Sequence, residues 1–527
     1  MQNKQNQYLI PIVMACFLAI GLLLGKKLAP TEEVYISNGE VRYQKIQEII
    51  HVLDERYVDS VDGQALFEKT ISDMLHELDP HSNYIPAEDL KSLNESIEGK
   101  FSGVGIRFFI IQDTICVTNV LPNSPAMAGG LKSGDKLINV NDSLIAGIGV
   151  KNEDVMGLLK GAEGTTVNLD ILRNGKIKSF VVERGSVPVV SVLASFMLNN
   201  NTGYVKINQF SVTTYDEFRA ATKELKKQGL KKLVVDLRNN GGGVLRGATS
   251  IADEFLKAGI PIVETRGEHS RKFVYKSSDK GELENIELAI VINENSASAS
   301  EILAGAIQDN DRGIIIGRRS FGKGLVQEDL MLRDGSNLRL TIARYYTPTG
   351  RCIQKPYKEN IESYYNDQLE RYENGEMYQV DSTLLIDSLK FTTPGGKTVY
   401  GGGGIMPDIF IPFDTLGTSW YYTQLRYSSA FTTFAFSFVN DKRTKWKTVD
   451  QYISDFEVSN DLLEQFVAFA EKEGNVIQNA KELKASKELI KRTIKGEIAR
   501  QLWVEQGYYK VEVQKDVDIL KAIKELR

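Results

Sequence analysis

Between about residues 39 and 78, apolar side chains recur at helical spacing: Ile46, Ile49, Ile50 and Leu53, then Leu66, Ile71, Met74, Leu75 and Leu78. At 3.6 residues per turn these positions share a face, so the segment predicts helices, with Pro80 as a stop in Leu78-Asp79-Pro80-His81-Ser82. From about Gly99 the texture changes. Short apolar runs at 104–108, 115–117, 136–140 and 167–171 predict strands, and 152–160 predicts a short helix. Asn174-Gly175, between two alternating runs, predicts a tight hairpin. Frequent glycine breaks set residues 97–186 apart as a small domain, after an N-terminal helical region at 35–96.

Beyond residue 187, strand and helix alternate. Runs at 203–207, 233–237, 288–292 and 313–317 predict strands, and 215–227, 247–255 and 299–308 predict helices. The strand runs are apolar throughout, which predicts an α/β layer whose sheet is covered on both faces. This domain runs to about residue 415. Within it, residues 355–397 are polar, tyrosine-rich and without period, which predicts an insertion or flexible loop. Residues 416–527 read as a C-terminal helical region, with Leu462, Leu463, Phe466, Val467 and Phe469 as an apolar stretch and amphipathic patterns at 481–495 and 517–526. The fold class expected is multidomain α/β.

A chain of 527 residues has room for these domains. Its net charge of -5 and lack of a basic block argue against nucleic acid as a partner. Cys16, Cys116 and Cys352 form no CxxC pair, and none of the four histidines sits in an HExxH motif, so no metal site is expected. Residues 8–25 are apolar apart from Pro11 and end at Lys26-Lys27. That pattern predicts a signal anchor, or a cleaved signal peptide, within residues 1–28. Lys26-Lys27 opposes export under the positive-inside rule, and Val13-Met14-Ala15-Cys16 is a poor lipoprotein box because the apolar run continues past it.

Three short stretches carry candidate chemistry. Ser298 lies in Asn295-Ser296-Ala297-Ser298-Ala299-Ser300-Glu301, between a predicted strand and a predicted helix. A hydroxyl needs a base to become a good nucleophile, and the helix start offers N–H groups and a positive dipole end. Ser296 and Ser300 compete for the role, capping is an alternative task for Ser298, and Glu301 suits a first helical turn. Lys323, in Ser320-Phe321-Gly322-Lys323-Gly324, can serve as that base if burial lowers its pKa. The stretch 317–324 nearly matches a phosphate-binding loop, but Gly324 replaces the serine or threonine that would bind magnesium. Finally, Leu237-Arg238-Asn239-Asn240-Gly241-Gly242-Gly243 ends a buried strand in glycines, which let backbone N–H groups approach a substrate oxygen.

Two resemblances follow from these motifs. The run Asn123-Ser124-Pro125-Ala126-Met127-Ala128-Gly129-Gly130-Leu131-Lys132-Ser133-Gly134-Asp135 resembles a PDZ domain, with Gly129 where many relatives have alanine. The resemblance implies capture of a protein C-terminus by a carboxylate loop at Phe101-Ser102-Gly103-Val104-Gly105-Ile106. Over about residues 40–415 the chain resembles a carboxyl-terminal processing protease, also called a tail-specific protease. Leu78-Asp79-Pro80-His81-Ser82, the PDZ segment, Asp236 to Gly243, Ser296 to Glu301, Phe321 to Gln327 and Gly403-Gly404-Ile405-Met406-Pro407-Asp408 appear in the family's order. The resemblance implies a crotonase-like or caseinolytic-protease-like α/β core with an inserted PDZ domain and no metal or organic cofactor. It implies Ser298 as nucleophile, Lys323 as general base and Gln327 as its orienting partner, on one helix face if that segment is helical. It implies an oxyanion hole from the Ala299 N–H and one of Gly241 or Gly242. Implied partners are unfolded or tagged protein C-termini, a second copy through the helical ends, and the membrane, on its extracytoplasmic (periplasmic) side. Residues 416–527 suit packing, dimerisation or binding of a regulatory adaptor. A non-catalytic PDZ scaffold and a crotonase-like enzyme acting on an acyl thioester are the competing readings; retention of both Ser298 and Lys323 counts against the first, and the second would need neither a PDZ domain nor Ser298.

Overall fold

The computed structural model of this chain describes residues 41–357, 361–380 and 386–526. The predicted signal or anchor at 1–28 lies outside the described residues. The chain divides into two compact units, 1–73 and 74–527. In the first, the expected helical pattern is realised as Val41–Arg56 and the beginning of Gly63–His76. Among the described residues no helix is long and apolar enough to cross a membrane.

The second unit is built around a six-stranded sheet. Its strand order is Val192–Met197, Thr202–Ile207, Lys232–Asp236, Glu287–Ile292, Ile314–Gly317 and Ile409–Phe410. The first pair is antiparallel and all other pairs are parallel. Alternate residues serve opposite faces. Leu233, Val235, Ile290 and Ile315 pack with Phe218, Ile251 and Leu303 from the helices Thr214–Lys227, Leu245–Asp253 and Ala299–Asp309. Val234, Ala289, Val291 and Ile316 point the other way. Their cover comes from the far end of the chain: Val513, then Ile519, Ala522 and Leu526 of the last helix and its cap, Val517–Glu525. Both faces are dry, which explains the unbroken apolar strands. Burial of each such side chain contributes about 1.5–3 kcal/mol.

Thus residues 416–527 are not one layer. The helices from Trp420–Tyr427 through most of Ala480–Glu512 enclose their own core, with Phe466, Tyr452 and Ile498 fully buried, while the last helix completes the main sheet.

A second sheet packs beside the first. Its long strand Asn337–Tyr346 pairs with Leu325–Met331, Asn83–Ile85 and Pro261–Arg266, and the last of these also pairs with Phe273–Lys276. Gln327 is therefore on a strand and not on a helix. The alternation of Leu325, Val326 and Gln327 with a bulge at 326–327 suits a half-covered hairpin, and the spacing of four from Lys323 has no helical meaning.

Residues 355–397 also differ from expectation. They contain the helix Ile361–Glu373 and the strand Lys390–Thr392, which forms a small hairpin with Thr398–Tyr400 just beyond them. The helix was invisible to hydropathy because its buried positions are Tyr364 and Arg371, at 3% and 2% exposure. Polar bonds hold it where an apolar stripe would normally serve.

The small domain has a sheet of Ile106–Ile111, Thr114–Val120, Lys136–Val140, Thr166–Arg173 and Lys176–Glu183, with Ser143–Leu144 at its margin. Asn174 and Gly175 both have positive φ, 52° and 73°, as a two-residue hairpin requires. The expected carboxylate loop is only partly a loop. Phe101 to Gly103 belong to the strand Lys100–Gly103, which pairs with Gly185–Pro188. Val104 and Gly105 form the turn, and the Gly105 N–H donates to no other protein group among the described residues.

The outer face of this domain meets the C-terminal bundle. Arg107 donates to both carboxylate oxygens of Glu505, at 2.6 and 2.5 Å. The helix Ala480–Glu512 is broken at Trp503 and Val504, where Val504 has φ 48°. The freed carbonyl of Gln501 accepts from Asn119 and Arg443, at 3.4 and 3.0 Å.

Candidate active site

Ser298 ends the turn after the strand Glu287–Ile292 and precedes the helix Ala299–Asp309. Three neighbouring hydroxyls have different fates. Ser296 is buried and donates to the Leu237 carbonyl at 2.9 Å. Ser300 is buried and donates to the Asn240 carbonyl at 2.9 Å. Both fasten the turn to the glycine loop 237–243. Ser298 alone of the three reaches the surface. It stands at φ 54°, ψ −112°, a conformation that a residue with a side chain adopts at a cost of about 1–3 kcal/mol.

Lys323 lies in the loop between the strands Ile314–Gly317 and Leu325–Met331. Its backbone and that of Ser298 meet at one side chain. The Ser298 N–H donates to Glu301 Oε2 at 2.8 Å, and the Lys323 N–H donates to the same oxygen at 2.9 Å. Glu301 Oε1 accepts from the Ser320 hydroxyl at 2.5 Å and the Gly322 N–H at 2.7 Å. Glu301 has no solvent exposure. Burial pushes its carboxyl above the ordinary range, and these four donors oppose that rise. Its sequence position suggested only a helix-start preference; spatially it joins the serine turn to the lysine loop.

The Lys323 amine donates to Gln327 Oε1 at 2.9 Å. The Gln327 amide nitrogen donates in turn to the backbone carbonyl of His81. That carbonyl is held by Asp79, whose Oδ1 accepts from the N–H groups of His81 and Ser82, at 2.8 and 2.9 Å, and from Thr341 Oγ1 at 3.0 Å. Asp79-Pro80-His81-Ser82 is therefore more than a helix stop: it is a clamp on the partner of the lysine. Burial pushes the Lys323 amine below its ordinary 10.5, with help from Arg339 and opposition from Asp79 and Glu301. His81 is pushed down to about 3 by burial and then by Lys323, so it is neutral at physiological pH. The serine hydroxyl and the lysine amine are brought to one site through Glu301, without a hydrogen bond between them in this structure.

Of the two glycines offered for an oxyanion hole, Gly242 is already engaged: its N–H donates to Asn240 Oδ1 at 2.9 Å. It also packs against the serine turn. A Cβ on Gly242 would lie 2.7 Å from both the Ala297 carbonyl oxygen and Ser298 Cβ. The N–H groups of Gly241 and Ala299 donate to no protein acceptor among the described residues, so Gly241 is the better second donor.

The helix Ile361–Glu373 forms a wall of this site. Tyr364 Oη lies 2.5 Å from His81 Nε2, and the Tyr365 hydroxyl donates to the Pro80 carbonyl at 3.0 Å. Gln368 bonds Asn295 in the serine turn. Arg371 donates to the carbonyls of Ser320 and Phe321 at 3.0 and 3.2 Å. None of these contacts had a sequence signal, because residues so far apart share no period.

Comparison with known proteins gives this geometry its context. Residues 201–363 match the model of peptidase family S41, residues 102–183 match a PDZ domain, and residues 421–504 match a family of unknown function. A carboxy-terminal-processing protease of Bartonella bacilliformis is 35% identical over 349 residues, covering 64% of this chain and 79% of that protein. A probable CtpA-like serine protease of Staphylococcus aureus is 33% identical over 316 residues, covering 60% of this chain and 63% of the relative. Among solved structures, the photosystem II D1 C-terminal processing protease aligns over 72% of this chain and 95% of its own, at 24% identity and a TM-score of 0.37. The chain belongs to peptidase family S41, as a carboxy-terminal-processing serine protease with a PDZ domain.

Proposed function

We propose that Ser298 is the nucleophile of this protease and Lys323 its general base. The observation that carries this reading is the shared Glu301 oxygen, which holds both backbones at once, at 2.8 and 2.9 Å. Burial supplies what a lysine base needs. An ordinary amine, with a pKa near 10.4, is neutral in about one molecule in a thousand at pH 7. Neutral Lys323 accepts the Ser298 proton as the oxygen attacks the peptide carbonyl. The oxyanion formed is received by the N–H groups of Ala299 and Gly241. Protonated Lys323 then donates to the leaving amine, and water hydrolyses the acyl-enzyme with the lysine again as base. Gln327 keeps the amine directed, backed by the His81 carbonyl.

The substrates in this reading are unfolded or tagged proteins whose free C-terminus is caught at Val104-Gly105-Ile106 of the PDZ domain. The N-terminal segment 1–28 keeps the enzyme at the extracytoplasmic face of the membrane, and the helical ends serve dimerisation or an adaptor. Incubation of the full-length chain with an unfolded protein bearing an apolar tail tests the assignment, beside Ser298→Ala and Lys323→Ala. Cleavage by the parent alone is expected; equal cleavage by all three refutes the dyad. Membrane fractionation of the intact chain, with and without residues 1–28, tests the location.

A further inference from the structure

The three loops of the proposed site leave the sheet at neighbouring strand ends, and each carries a charged residue within two positions of its strand. Arg238, after Leu237, stands at the root of the loop that carries Gly241. Glu294, after Asn293, stands at the root of the turn that carries Ser298. Arg318 opens the loop that carries Lys323. These three charges are linked. Arg318 Nε donates to Glu294 Oε2 at 2.9 Å. Arg238 donates to Asp236 through Nε and NH2, at 3.1 and 2.6 Å. The remaining links come from the end of the chain. Arg238 NH1 donates to Asp516 Oδ1 and to Asp518 Oδ2, both at 3.0 Å. The same Asp518 oxygen lies 3.8 Å from Arg318.

Packing does not require these carboxylates. Ile519, Ala522 and Leu526 already seat the last helix on the sheet. Asp516 has a local task as helix cap, accepting from the N–H groups of Asp518 and Ile519. Asp518 has no such task, yet its side chain is only 4% exposed. A buried carboxylate is costly unless its partners need it. Here the partners are two guanidinium groups at the roots of two site loops.

We propose that Asp518, supported by Asp516, is a positioning residue for the protease reaction: the last helix grips Arg238 and Arg318 and so keeps the loops of Gly241, Ser298 and Lys323 in register. This rests on the Ser298–Lys323 reading. Small displacements of reacting groups, near 1 Å, cost on the order of 100-fold in rate, so a loosened grip acts on turnover and not on capture of the tail.

The test uses full-length Asp518→Asn, which keeps size and removes charge. Asp516→Asn is the second variant, because asparagine still caps the helix and so preserves the fold. Three quantities are measured: kcat and KM on an unfolded tailed substrate, the rate of covalent labelling by a serine-directed phosphonate, and affinity for a tail peptide. The expected result is a fall of kcat and labelling rate together, about tenfold or more for Asp518→Asn, with KM and peptide affinity within twofold of the parent. Asp518→Glu should recover part of the loss. Unchanged kcat and labelling overturn the inference, as does a rise in KM alone. Failure of the parent to be labelled refutes the dyad and this inference with it, whereas normal labelling of parent and variants alike refutes this inference only.

Discussion

Replacing Glu301 by glutamine isolates the side chain that joins the two halves of the site. The change keeps shape but turns one acceptor oxygen into an NH2 donor. Glu301 accepts two donors on each oxygen: Ser320 and Gly322 on one, Ser298 and Lys323 on the other. Whichever way the amide turns, two hydrogen bonds are lost and two buried donors face a third. Bonds to a charged group contribute about 1.5–3 kcal/mol each, so the gross loss is about 3–6 kcal/mol. Removing a carboxylate charge from a site without solvent returns part of that, since burial already disfavours the ionised form. The net destabilisation expected is about 2–4 kcal/mol. Activity should fall by more than stability alone explains, because the Ser298 and Lys323 backbones lose their common anchor; about 100-fold in kcat is the expected order. Guanidinium denaturation and kcat on an unfolded tailed substrate measure the two effects. Ser298→Ala is the control: it removes the proposed nucleophile but keeps the backbone N–H to Glu301, so it should lose turnover and keep stability. A Glu301→Gln loss below about 0.5 kcal/mol with kcat within threefold of the parent would refute the anchoring role.

Further expectations concern other parts of the molecule. In a pH profile, kcat/KM should rise with pH through the Lys323 pKa, which burial sets below 10.5, because only the neutral amine accepts a proton; His81, neutral above about 3, should contribute no limb near its ordinary 6.5. A profile that falls across that range would contradict a lysine base. Gly242→Ala should reduce kcat tenfold or more, since its φ is 100° and the new methyl would sit 2.7 Å from Ser298 Cβ, whereas a Cβ at Gly241 meets nothing within 4 Å and Gly241→Ala should fold normally. Equal kcat and thermal stability for the two alanine variants would remove the steric argument. Val504→Gly should stabilise the chain by about 1 kcal/mol in denaturant titration by relieving a β-branched residue at φ 48°, with any loss instead meaning that its side-chain packing outweighs the strain.

Local patterns in the chain were enough for several features. The four central strands of the main sheet are legible because both faces are covered, so Leu233 to Asp236 and Leu288 to Ile292 read as short apolar runs, whereas the outer strands Val192–Met197 and Ile409–Phe410 are not legible. The hairpin at Asn174-Gly175 is legible because only residues tolerant of positive φ suit it. Ser298, Lys323 and the glycine loop were legible as motifs, since each lies beside a strand end and uses residue types that their chemistry restricts. The tertiary structure decided how these pieces meet. It separated Ser298 from Ser296 and Ser300 by spending the other two hydroxyls on the glycine loop. It engaged the Gly242 N–H and left that of Gly241. It gave Asp79 and His81 a role in holding Gln327, made a wall from a stretch that reads as loop, and brought Asp516 and Asp518 to the root of the glycine loop, 278 and 280 positions from Arg238. The physical reason is common to all of these. Periodicity reports how one segment meets water and core, whereas a buried carboxylate or guanidinium is tolerated only by partners that the fold brings from elsewhere, and such pairing leaves no mark on the local pattern.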